Sequence, residues 1–220
     1  MDWYSHLWKR RIDDDDDQVE EFIRSWCVSE DCNGGRWIKH YFSFHRILLV
    51  GKGNLSFSAC LAKAFGLATS MVVTSIDSLG FLSENYKDAH SNVVQLVRRG
   101  CNVFHGVYAM TMADHYALIG MRFDRIIFNF PLTGFDKTLS RSEQIKRNQT
   151  LLSKVFANAL AMLSYVGVVH MVHKTNGFFQ EWEIEKLDLK WGLHLIEESE
   201  FSLKDYPGYR NKYGMGRQGL

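Results

Sequence analysis

The 220-residue chain is 46% apolar and 23% charged, proportions of an ordinary globular domain that argue against wholesale disorder. No apolar run approaches the roughly 18 residues that cross a bilayer, so no membrane partner is expected. A formal net charge of +1 supplies no global attraction for nucleic acid, and any RNA contact has to come from local patches.

Residues 1–44 read apart from the rest. Lys9-Arg10-Arg11 leads into five consecutive aspartates, Asp13 to Asp17, and a short amphipathic stretch from Val19 to Trp26. Like charges repel and favour extension, so an acidic extension, partly disordered or helical, is expected ahead of one domain over 45–217. The N-terminus lacks the apolar core of a secretory signal, and an intracellular location is expected. The cysteines at 27, 32, 60 and 101 show no framework spacing, which reads as free thiols. Cys27, Cys32, His40 and His45 fall short of a zinc finger's central loop, and no metal is expected.

From Arg46 onward, short apolar runs alternate with helical periodicity, the pattern of βα units around a parallel sheet. Ile47 to Val50 reads as a buried strand ended by Gly51. Phe57, Cys60, Leu61, Ala64 and Phe65 then line one face of a helix. A second strand covers 71–76, a helix 84–99 is closed by Gly100, and strands follow at 103–107 and 123–130, the latter ended by Pro131. Ser140 and Glu143 have capping-box spacing ahead of the stripe Leu152, Val155, Phe156, Ala159, Leu160 and Leu163. A fifth strand over 167–172, a helix over 179–191 and a sixth strand from Leu193 complete the reading. The expected fold class is α/β, Rossmann-like, with a mostly parallel central sheet and helices on both faces.

Gly51-Lys52-Gly53-Asn54 joins the first strand to a helix beginning near Ser56 and Phe57. Glycines allow a tight turn and close ligand approach, and the helix start offers unpaired N–H groups. Asp77, 24 residues after Gly53, ends the next strand beside Ser78, where a carboxylate can accept hydrogen bonds from ribose hydroxyls. The third glycine of a dinucleotide fingerprint is absent, its place taken by Ser56, so a nucleoside without pyrophosphate is the better ligand and an oxidoreductase is disfavoured. Asn129-Phe130-Pro131-Leu132 ends the fourth strand at the crevice where open α/β sheets bind ligands. An Asn amide beside a rigid proline can hold a planar nitrogen group by hydrogen bonding. His170 and His173, three apart on a strand, point to opposite faces and read as independent packing or hydrogen-bonding residues. Cations interleaved with aromatics can hold unpaired RNA. Lys137, Arg141, Lys174, Tyr209, Arg210 and Lys212 are the candidates.

Together these residues resemble the eukaryotic family of large-subunit (25S) rRNA uridine-N(3)-methyltransferase-like proteins, nearest its plant members. The likeness runs from about Trp37 to Gly216 and rests on Ile47 to Ser58, Thr74 to Ser78, Phe123 to Pro131 and Tyr206-Pro207-Gly208-Tyr209. The resemblance implies a class I methyltransferase fold, S-adenosylmethionine as donor, and methylation of a uridine ring nitrogen in ribosomal RNA or a pre-ribosomal particle. It also implies a nucleolar location, with the cytoplasm as alternative. Gly51, Lys52, Gly53, Asn54, Ser56, Phe57, Asp77, Ser78, Tyr108 and Met110 would surround the donor, and Asn129, Phe130, Pro131 and Leu132 would face the target base. The sequence departs from the family at Lys52, usually Glu, and at Tyr108 and Met110, usually Asp and Thr; Leu132-Thr133 replaces a common His-Ala pair. Those departures leave open a non-catalytic relative serving as an RNA or protein adaptor.

Overall fold

The computed structural model describes residues 3–11, 34–51, 53–175, 177–184, 186 and 190–211. The aspartate run, the stretch from Val19 to Trp26, Cys27, Cys32, Lys52 and Lys212 lie outside the described residues.

The apolar runs become β4 (Ile47–Gly51), β5 (Met71–Ser75), β6 (Asn102–His105), β7 (Phe123–Asn129) and β8 (Leu163–Lys174). Two further strands, β1 (Trp3–Arg10) and β9 (Leu193–Glu200), complete a seven-stranded sheet in the order β6-β5-β4-β7-β8-β1-β9. Strands β6 to β8 in that order are mutually parallel. The order reverses on either side of β4, which opens a crevice at the carboxyl ends of β4 and its neighbours. A short hairpin, β2 (Trp37–Ile38) and β3 (Tyr41–Phe42), stands outside the sheet.

Among the described residues the strands are flanked by α1 (Ser56–Phe65), α2 (Leu79–Asn85), α3 (Ala89–Arg98) and α4 (Arg141–Met162). Alternation along the strands divides the core in two. Ile126 and Phe128 join Trp8, Phe156 and Trp182 beneath α4, while Leu49, Val73 and Ile127 pack with Leu61, Phe65 and Leu96 under α1 and α3. The capping box at the start of α4 forms as its spacing predicts: Ser140 Oγ accepts from the Glu143 N–H, and the Glu143 carboxylate accepts from the Ser140 N–H at 2.8 Å.

Several expectations are corrected. Residues 3–10 are not a separate extension but a strand inserted antiparallel between β8 and β9, and Tyr41 is fully buried in the core. The polar residues that disguise β1 are paired: Ser5 bonds His170 Nε2, and His6 Nε2 lies 2.9 Å from Glu198. The single helix expected over 84–99 is two, because Tyr86 is extended and buries its ring between them. Within the span expected as one helix over 179–191, a 3-10 helix at Gly177–Trp182 is followed by Glu183 at φ 47°, which breaks the run ahead of the helical residues Ile184 and Lys186.

Candidate functional site

The turn after β4 brings Gly53 to φ +91°, a backbone that glycine adopts without strain. Asn54 is buried; its Oδ1 accepts from the Ser56 N–H at 3.2 Å, and its carbonyl accepts from Asn92 Nδ2 at 2.7 Å. The loop is thereby tied to α1 and α3. The start of α1 is also covered by the chain's later residues. Ser56 Oγ donates to the Arg210 carbonyl and accepts from the Arg210 N–H, each at 3.1 Å, while Phe57 packs against Tyr206 and Tyr209. Ser56 and Phe57, expected beside a donor, are thus engaged in the fold.

A cleft of about 430 Å³ opens at the carboxyl ends of β4 to β7, a volume typical of small-molecule sites. Gly51, Ile76, Tyr108, Met110 and Phe128 line the sheet side, and Thr133, Arg147, Thr150 and Lys154 line the α4 side. Tyr108 is exposed within it. Asp77 is half-buried next to Ile76 but not in the cleft wall. Its backbone is fixed, with the N–H on Ser75 Oγ at 3.1 Å and the carbonyl on His105 Nδ1 at 3.0 Å. Its carboxylate has no hydrogen bond or ion pair among the described residues. Ser78, by contrast, is spent on capping α2, accepting from the Phe81 N–H at 3.2 Å.

At the end of β7, Asn129 carries both amide atoms buried without a hydrogen-bond partner among the described residues. An amide of two donors and an acceptor left unpaired costs about 1–3 kcal/mol. Phe130 follows at φ 52°, a conformation that a bulky residue ahead of proline strongly disfavours. The strain is held by the Phe130 N–H on the Val172 carbonyl at 2.6 Å and by an edge contact with Trp3 at 5.2 Å. An unpaired amide beside a strained backbone is the pattern of a group kept for a ligand. Continuing the β4–β7 register from Leu49↔Ile127 sets Asn129 level with Gly51.

Strand alternation separates the expected quartet. Asn129 shares the face of Ile127, and Phe130 packs with the core under α1, whereas Leu132 packs under α4. Pro131 is buried between them. Two residues that sequence reasoning missed hold the loops in place. Asn148 of α4 accepts from the Thr133 N–H and hydroxyl at 3.0 and 3.1 Å. Asn158, ten positions on, donates to the Met110 carbonyl and accepts from the Ala113 N–H, both at 2.9 Å. Asn148 stands on the helical face of Leu151, Leu152 and Val155, but nothing local in the sequence names its partner.

The expected RNA contacts do not gather in one place. Arg141 pairs with Glu181 and covers the Phe178 ring at 5.4 Å. Arg210 lies 3.5 Å from Asp88, Lys174 sits over Phe179 at 5.5 Å, and Tyr209 is half-buried against Phe57 and Phe201. Lys137 is exposed in a turn. His170 and His173 do face opposite ways. Burial holds His170 well below the usual histidine value, between Ser5 and Tyr41, while His173 stacks on His6 at 4.5 Å. Among the described residues no group of three or more His, Cys, Asp or Glu is arranged to hold a metal ion, and no helix is long and apolar enough to cross a membrane.

A parallel sheet reversing at β4, a glycine turn, and a nucleoside-sized cleft at the strand ends define a Rossmann-like α/β protein of the methyltransferase type. Residues 48–213 match the BMT5-like family, described as rRNA (uridine-N3-)-methyltransferase BTM5-like, and the chain belongs to that family. It is 46% identical over 184 residues to an uncharacterized Arabidopsis thaliana protein, covering 82% of this chain and 88% of that one. It is 43% identical over 193 residues to heavy metal-associated isoprenylated plant protein 41 of the same plant, covering 87% of this chain and 38% of that protein. The human ferredoxin-fold anticodon-binding domain-containing protein 1 is 29% identical over 176 residues, 75% of this chain and 27% of its own length. The chain therefore corresponds to only part of those two longer relatives.

Proposed function

We propose that this chain transfers a methyl group from S-adenosylmethionine to N3 of a uridine in large-subunit (25S) rRNA, on a pre-ribosomal particle in the nucleolus. The observation that carries the reading is the buried, unpartnered amide of Asn129 at the strand end level with Gly51. The residues present fit the donor. Gly51 lets its backbone approach, Tyr108 and Met110 offer a flat apolar wall to an adenine, and Asp77, one residue beyond the lining Ile76 and unpaired among the described residues, has a carboxylate that suits ribose hydroxyls. When bound, that donor supplies an activated methyl group.

The chain's own task is to prepare the nucleophile. A uridine N3 attacks only after its proton has passed to solvent, and the resulting charge spreads onto the two flanking ring oxygens. The Asn129 amide N–H, donated to one of those oxygens, favours the anion and fixes the ring. The strained Phe130 and buried Pro131 keep that amide from turning away.

An adaptor without catalysis is the second reading, favoured by a cleft that no carboxylate lines and where Tyr108 replaces the acid. Transfer of labelled methyl to large-subunit rRNA, with digestion to nucleosides, decides between them. Label in 3-methyluridine supports the enzyme; donor binding without labelling of any RNA supports the adaptor.

A further inference from the structure

A groove of about 460 Å³ runs between α4 and Trp191. Lys146, Thr150 and Lys154 stand on one ridge of α4 at i, i+4 and i+8, and Lys190 closes the opposite rim. The chain is nearly neutral overall, yet three ammonium groups line this groove with no carboxylate among its described lining residues. None of the three has an anionic partner among the described residues. The neutral polar groups, in contrast, are already committed. Thr150 Oγ1 donates to the Lys146 carbonyl at 2.8 Å, Gln149 Nε2 to the Trp182 carbonyl at 3.4 Å, and Trp191 Nε1 to Ser153 Oγ at 3.0 Å. The last bond fixes the indole as a wall, with Lys190 Nζ over its ring at 5.3 Å. Thr150 and Lys154 also line the cleft at the strand ends, so the two spaces share a rim.

We propose that this groove seats the single-stranded RNA that flanks the target uridine. The proposal rests on the rRNA methylation reading. Lysines offer point charges to successive phosphates over roughly 12 Å of helix, and the Trp191 indole beside them is the kind of aromatic group on which an unstacked base rests. The strand must be single, because N3 lies on the pairing edge and is hidden in a duplex. RNA lying here leads over the shared rim to the cleft.

The test is fluorescence anisotropy of the full chain with a labelled uridine-rich single strand, titrated across salt. Lys146→Gln with Lys190→Gln removes two contacts that belong to the groove and not to the cleft. The expected result is a fall in affinity on the order of tenfold at 0.1 M salt and a salt slope shallower by about 1.4, with S-adenosylmethionine binding unchanged. The pair Lys146→Arg with Lys190→Arg keeps the charge and should keep the affinity. Unchanged affinity and slope in the glutamine pair overturns the proposal, as does equal loss in the arginine pair, which would make packing the cause. Polyglutamate competing as well as RNA at equal charge also overturns it, in favour of an acidic protein. A parent chain that binds no RNA at all removes the methylation reading itself, whereas a parent that binds RNA undisturbed by the glutamine pair removes only the groove.

Discussion

Asn148 on α4 grips Thr133 twice, its Oδ1 taking both the backbone N–H at 3.0 Å and the hydroxyl at 3.1 Å, while its Nδ2 donates to the Gln144 carbonyl at 2.8 Å. The loop that leaves Pro131 is thereby anchored to a helix whose own place is set by its apolar stripe. Asn148→Ala leaves those loop donors without their acceptor at a site of 1% exposure, a cost of about 1–3 kcal/mol. A melting temperature lowered by several degrees, together with slower methyl transfer, is the expected outcome. Unchanged stability would mean that water replaces the grip.

Acid should weaken the fold through His173. Burial holds its pKa at about 4, with the stacked His6 ring pushing the same way, while the unfolded chain takes up that proton near 6.5. Between about pH 6.5 and 4 the unfolded state binds the extra proton. Stability is therefore complete above that window and falls as pH drops through it. Thermal melts between pH 7.5 and 4.5 should show a shallower decline for His173→Phe than for the parent. Identical slopes would remove His173 from the account.

The parallel strands were legible because each is an apolar run cut off by glycine, aspartate or proline, as at Gly51, Asp77 and Pro131. The strand from Trp3 to Arg10 was not legible, since Ser5 and His6 look solvated until His170 and Glu198 are brought to them by β8 and β9. Strand β8 begins at Leu163, earlier than expected, because the apolar stripe of α4 runs into it without a break. The same limit applies at the site. Asn129 and the glycine turn could be placed from their strands, but the Asn148 and Asn158 grips join residues 15 to 48 positions apart and leave no local pattern.

Asp77 should matter to the donor and not to the fold, since its carboxylate has no bond to lose among the described residues. Asp77→Ala is expected to weaken S-adenosylmethionine binding by about 1.5–3 kcal/mol through the loss of a charge-assisted hydrogen bond, with the melting temperature unmoved. Equal affinity in mutant and parent, read by calorimetry, would take Asp77 out of the site.

Tyr108 and Met110 stand in the cleft wall where the family usually has Asp and Thr. Tyr108→Asp with Met110→Thr should tighten donor binding, because a carboxylate accepts from the adenine amino group more strongly than a tyrosine hydroxyl does. The Met110 carbonyl grip by Asn158 is a backbone contact and survives the change. No gain would show a pocket rebuilt around the tyrosine.

If Asn129 serves the target base, Asn129→Ala separates catalysis from binding and folding when donor affinity, melting temperature and transfer rate are taken on the same preparation. The amide is buried and unpaired, so its removal should leave stability equal or slightly raised, and donor affinity should be nearly unchanged. Methyl transfer to large-subunit rRNA should fall a hundredfold or more, on the order expected when a reacting atom is misplaced by about 1 Å. A mutant that keeps the parent's transfer rate would contradict the account.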